Sequence, residues 1–239
     1  MPNHCENRTT IWGSPSQVAE VIKAMIDDSE TGFAISNLVP MPKGLKDSTA
    51  SFVTPEIPTR WAELVTEGKW TQEEYDEAVA QNNEAWVAKK ARIDEFGYGD
   101  WYDWACADEN WGTKWGDYSH SGDFPNLVDL ESSTKDKIEV VFSYDTAWSP
   151  FSVQFWEQVS ARFPEVRFDT RYQEPGMCFA GVTVAYKGVV VDECTNDLPE
   201  VDWDSDDSSE VWHEMMDALL DRLYDIADLK LAFSSLAEA

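Results

Sequence analysis

The chain has 239 residues, 43% of them hydrophobic and 13% aromatic, which supplies one sizeable core and excludes global disorder. Its 46 Asp and Glu against 18 Lys and Arg give a net charge of −28, a field that repels nucleic acid and anionic membrane and attracts basic surfaces. Charge of this size serves solubility or salt tolerance in many proteins; the sharper reading is imitation of something negative.

Arg8 to Trp12 (RTTIW) is a β-branched and aromatic run that stops at Gly13 and reads as a strand. Ser14, Pro15 and Gln17 supply a capping box with a first-turn proline, and Val18, Val21, Ile22 and Met25 share one face of the helix they open. A short strand over Phe33 to Ile35 completes a β-α-β unit. The order returns further on. Ile138, Val140, Phe142 and Tyr144 recur at the two-residue period of a half-buried strand, and Ser149 and Pro150 open a helix carrying Val153, Trp156, Val159 and Phe163. Val166, Phe168, Thr170 and Tyr172 alternate again, and Phe179 to Tyr186 with Val189 to Val191 form a hairpin about Lys187-Gly188.

Two β-α-β halves in one mainly antiparallel sheet predict an α+β, ferredoxin-like sandwich over residues 1–191. The link between the halves, at about 43–137, is expected to be a helical insertion, since Thr71 and Glu74 form a capping box ahead of Tyr75, Ala78, Val79, Trp86 and Ile93. Residues 192–239 read as an acidic loop followed by an amphipathic C-terminal helix with Val211, Met215, Leu219, Leu223 and Ile226 on its apolar side. Residues 188–239 hold fifteen acids against two bases, so one face of that helix is negative. Asp202, Asp204, Asp206, Asp207, Glu210, Glu214, Asp217 and Asp221 are the expected partner-binding residues.

No catalytic, metal or cofactor centre is expected. The segment DWDSDD at 202–207 fails as a calcium loop, because its sixth position is Asp207 where the turn needs Gly and its twelfth is His213 where a bidentate Glu is required. Spacing gives no support to a zinc site built from His4, Cys178 and Cys194. The three histidines His4, His120 and His213 sit in no nucleophile context, and neither a P-loop nor a G-x-G-x-x-G occurs. Cys5, Cys106, Cys178 and Cys194 lie far apart and read as reduced, mostly buried thiols of a cytoplasmic protein. The opening residues lack the regions of a signal peptide, so the protein is expected to stay in the host cell that makes it.

Three segments stand out: ENWGTKW at 109–115, TAWSP at 146–150 and EPGMCFAG at 174–181. They nominate a pocket of Trp111, Lys114, Trp115, Trp148, Glu174 and Phe179, since aromatic residues with a few polar groups line binding sites. The plainer reading is that the tryptophans cover an open sheet face and Lys114 pairs with Glu174 or another acid. With the opening Met-Pro-Asn-x-Cys-Glu-Asn-Arg, these segments resemble the YubB ferredoxin-like family of plasmid and phage proteins. The opening of that family usually carries Trp where this chain has His4, and the tail past residue 192 is outside its pattern. The resemblance implies a ferredoxin-like fold and a mobile-element origin, and no reaction.

The function expected from these features is a non-enzymatic accessory protein that binds a basic host protein, with a DNA mimic or anti-defence inhibitor as its sharpest form. The alternatives are a small-ligand-binding protein or enzyme using the tryptophan-rich pocket, and a virion or assembly component. Direct contact with nucleic acid or membrane is not expected.

Overall fold

The computed structural model describes residues 3–26, 33–122, 126–202, 204 and 208–237. Its centre is a six-stranded sheet in the order β2-β3-β1-β4-β5-β6, every neighbouring pair antiparallel. The strands are β1 (His4–Gly13), β2 (Asp117–Ser121), β3 (Ile138–Ala147), β4 (Arg167–Glu174), β5 (Phe179–Tyr186) and β6 (Val189–Thr195). The helices are α1 (Pro15–Met25), α2 (Lys43–Lys46), α3 (Thr59–Thr66), α4 (Gln72–Phe96), α5 (Trp101–Cys106), α6 (Leu127–Glu131), α7 (Val153–Arg162) and α8 (Ser208–Ala237).

Helix α1 begins at the expected capping box, with Ser14 and Gln17 exchanging side-chain and backbone bonds. Helix α7 starts later than Ser149-Pro150 suggests. Ser152 is the residue whose hydroxyl accepts the Phe155 N–H, and the backbone before it is held back by Ser149 Oγ donating to the Gly112 carbonyl at 2.9 Å. Both helices cover the same sheet face, where Ile11, Val140, Phe142 and Phe168 meet Val18, Val21, Ile22, Phe155 and Trp156 in the main core. The order β1-α1-β2 then β3-α7-β4, with β1 between β3 and β4, is the ferredoxin-like arrangement.

The second strand of that motif is not where sequence reading places it. Phe33 makes only an isolated bridge to Ile26, and Ile35–Leu38 coils into a 3-10 helix. Asp117–Ser121 takes the strand position beside β3 instead. The helical excursion therefore precedes the second strand, and it is shorter than residues 43–137. The chain divides into two compact units, Met1–Pro40 with Ala105–Ala239, and Met41–Trp104.

The smaller unit is built on α4, whose Thr71–Glu74 capping box and left-handed Gly97 cap are both formed. Tyr75, Ala78, Val79, Trp86 and Ile93 are half-buried. Its polar anchor is Asp100, 1% exposed, whose carboxylate accepts the N–H groups of Tyr102, Asp103 and Ser51 and lies 3.4 Å from Lys89 Nζ.

Residues 192–239 are not a separate part. Strand β6 runs to Thr195, with the hairpin turn made by Lys187 and Gly188, both left-handed as a two-residue turn requires. Helix α8 lies on the face of β5 and β6 opposite to α7, where Met216, Leu219, Leu220, Leu223, Ala227 and Leu231 bury against Ala180, Val182 and Val184. Polar latches flank this second core. Arg167 reaches Asp228 at 2.6 Å and the Tyr224 hydroxyl at 2.8 Å, and Arg171 reaches Asp221 at 2.6 Å. Among the described residues, no helix is long and apolar enough to cross a membrane.

Candidate functional site

Register fixes which side chains of β1, β3 and β4 face away from α1 and α7. On the central strand they are Glu6, Arg8, Thr10 and Trp12, opposite Asp145, Ser143, Val141 and Glu139 on β3 and Gln173, Arg171, Asp169 and Arg167 on β4. This polar half of the sheet is left open, because α8 covers β5 and β6. A groove results, floored by the three strands and walled by α8, and one of its cavities, ≈ 350 Å³, is lined by Glu6, Arg8, Asp145, Arg171, His213 and Asp217 among others. Burial, with the facing Glu6 adding to it, holds the Asp145 carboxyl above its ordinary range, although Ser119 and His4 act against the shift. Asp169, 5% exposed, is likewise raised by burial even though Arg167 lies 2.7 Å away. Sequence reading missed this groove. Its signal is two-residue spacing of charged groups on β1, visible only once the neighbours of that strand are known.

Four of the eight expected partner-binding acids fall on α8. Glu210, Glu214, Asp217 and Asp221 recur at three- and four-residue intervals, with Asp225 continuing the stripe, and all five are exposed. Asp221 is turned to use by Arg171; among the described residues no cation lies within 4 Å of Glu210, Glu214, Asp217 or Asp225. Asp202 and Asp204 are exposed in the preceding segment. Asp206 and Asp207 lie outside the described residues. Beside the acidic stripe runs a mainly apolar one, three of whose residues, Val211, Met215 and Ile226, the sequence pattern places on one apolar side with the buried Leu219 and Leu223. Val211, Met215, Ile226, Leu229 and Phe233 are 37%, 41%, 37%, 60% and 69% exposed. With Ala218 and Arg222 they follow the same helical spacing.

The nominated tryptophan pocket is distributed differently. Lys114 sets its ammonium 4.7 Å from the Trp115 ring and 5.2 Å from the Trp148 ring, a cation between two half-exposed indoles. Trp111 packs against the main core and donates its indole N–H to the Val39 carbonyl at 2.8 Å. Glu174, 3% exposed, is turned into its own loop, where it accepts the N–H groups of Gly176 and Met177. Phe179 sits edge-on to Tyr172. Among the described residues, no group of three or more His, Cys, Asp and Glu is arranged to hold a metal ion.

Residues 129–214 match the family model described as the ferredoxin-like domain in Api92-like protein. That stretch carries β3, α7, β4, β5, β6 and the start of α8. It agrees with the strand order, and the ferredoxin-like class holds for this chain. Among solved structures, the crystal structure of a protein api92 from Yersinia pseudotuberculosis is similar at 13% identity with a TM-score of 0.42, over 84% of this chain and 100% of that one. No curated protein matches the chain.

Proposed function

We propose that this is a non-enzymatic binding protein, a cytoplasmic accessory protein of a phage or plasmid as the resemblance to the YubB family suggests, that captures a basic host protein on the outer side of α8. One observation carries the reading: exposed Val211, Met215, Ile226, Leu229 and Phe233, with Arg222 among them, line one side of a 30-residue helix beside a stripe of carboxylates, of which Glu210, Glu214, Asp217 and Asp225 have no cation within 4 Å among the described residues. Exposed apolar side chains supply affinity, while the charge draws in a cationic partner and rejects anionic ones. Intervals of three and four residues put the carboxylates about 4.5–6 Å apart along a rigid rod, which suits imitation of a phosphate backbone and hence an anti-defence role.

The test is capture from host lysate with the intact protein, a triple charge variant (Glu210→Lys, Glu214→Lys, Asp225→Lys) and an apolar variant (Leu229→Glu, Phe233→Glu). A basic protein retained by the parent, released as salt rises and lost from both variants supports the reading. Identical retention by all three proteins sinks it.

A further inference from the structure

The open sheet face contains an arrangement that partner capture does not use. At the central strand, two like-charged cross-strand pairs sit side by side: Glu6 faces Asp145, and two residues further on Arg8 faces Arg171. Like charges directly opposite one another destabilise a sheet. Neighbours relieve the pairs only in part. Asp221 lies 2.6 Å from Arg171, but among the described residues no carboxylate comes within 4 Å of the Arg8 guanidinium. Asp145 has a Ser119 hydrogen bond and the His4 ring at 4.0 Å, and Glu6 accepts the Gln173 amide at 2.7 Å. The two pairs are about 7 Å apart along the strand, as two residues of β-structure dictate.

Helix α8 extends the division. Asp221 meets Arg171 and Asp228 meets Arg167, so Asp217, a turn earlier, lies towards the acidic end of the same ≈ 350 Å³ cavity. The hydroxyl-bearing residues Ser119, Ser121 and Ser143 line it as well. A simple anion drawn to Arg8 meets the Glu6–Asp145 pair; a simple cation drawn to that pair meets Arg8. A molecule with one charge of each sign, separated to match, satisfies both ends and relieves both repulsions.

We infer that the groove between the sheet face and α8 is a binding site for a small zwitterion, an aminocarboxylate whose charged ends are about 7 Å apart, the span of an extended dipeptide. The ammonium sits between Glu6 and Asp145, with Asp217 at the wall, and the carboxylate engages Arg8 and Arg171. Arginine suits that end because its planar fork takes a carboxylate through two bonds.

Isothermal titration calorimetry of the full chain tests this, with glycylglycine and 6-aminohexanoate as probes and acetate and ethylamine as single-ended comparators. Saturable binding of at least one zwitterionic probe is expected, with each comparator at least about tenfold weaker. Arg8→Gln and Asp145→Asn each weaken the zwitterion about tenfold or more, whereas Lys90→Ala on α4 changes nothing. Circular dichroism checks each variant, and if Arg8→Gln does not fold, Asp145→Asn and Arg8→Lys decide. Absence of saturable binding by either probe up to about 10 mM overturns the inference. So does acetate binding as tightly as glycylglycine, or a folded Asp145→Asn with unchanged affinity. None of these results depends on α8 capturing a protein.

Discussion

The carboxylate of Asp117 and the ring of His120 meet at 2.6 Å, both side chains almost wholly enclosed, and the same carboxylate accepts the backbone N–H groups of Ile35 at 2.6 Å and Ser36 at 2.8 Å. One aspartate on a short edge strand thus fastens the 3-10 turn that follows α1. Asp117→Ala strands two backbone donors and is expected to cost about 3 kcal/mol, read as a lower denaturation midpoint in urea with an unchanged slope.

Helix α8 is held by a small core of its own. Leu223→Ala removes a side chain packed between the helix and β5 and is expected to cost about 2–4 kcal/mol. Hydrogen exchange separates this from a general loss: α8 amides lose protection first, while those of β1 and β3 hold.

Two aspartates carry opposite pH signatures. Burial raises the Asp145 carboxyl in the folded chain, so its ionisation opposes folding above the folded value, and that penalty disappears below the unfolded value of about 3.9. Asp145→Asn therefore raises the melting temperature at neutral pH, by a margin that closes as the pH falls through this window. Burial also works against the Asp100 carboxylate, but the N–H groups of Asp103 and Ser51 and the Lys89 ammonium outweigh it and hold the carboxyl below its usual range. Its contribution is present above the unfolded value and is lost as the pH drops through the folded one. Asp100→Asn destabilises at neutral pH, and the deficit fades in acid. Melting curves across that range check both signs.

The thiols divide by access. Cys5 is enclosed between β3 and β4, and burial pushes its pKa up to about 12, whereas Cys178 and Cys194 are exposed. A thiol-reactive dye is expected to label Cys178 and Cys194 in the native protein and Cys5 only after denaturation. Rapid native labelling of Cys5 would show that its environment opens readily.

Strong local signals were legible. The Ser14–Gln17 box, the alternation through Ile138 to Tyr144 and the turn at Lys187-Gly188 each appear where the residues place them. The second ferredoxin strand was not. Asp117 to Ser121 reads DYSHS, polar and broken by a left-handed Ser119, so it has no apolar alternation to announce it. Its place depends on pairing with β3 and on Asp117 reaching Ile35, contacts separated by many residues. Phe33 to Ile35 has the right composition for a strand, but the Ala34 N–H goes to the Met25 carbonyl and the Ile35 N–H to the Asp117 carboxylate, and the chain then coils into the 3-10 turn. On the candidate surfaces, the α8 acids were visible as a stripe, while Val211, Met215 and Ile226 read as one apolar side with Leu219 and Leu223, of which the sheet covers only the last two. Periodicity identifies an apolar side of a helix and not how much of it a sheet covers. The groove needed strand order, since Arg8 and Arg171 are neighbours only through β1 and β4 pairing.

Among the described residues strand β6 is an edge strand of the sheet, and Asp192 and Glu193 stand midway along it. Glu193 is paired with Lys230 and Asp192 accepts the Tyr172 and Thr183 hydroxyls, so the repulsion an identical edge would meet comes chiefly from the charge of −28 that each copy carries. That repulsion grows as salt is removed. Charge of one sign on every copy therefore disfavours edge-to-edge pairing of one sheet with another.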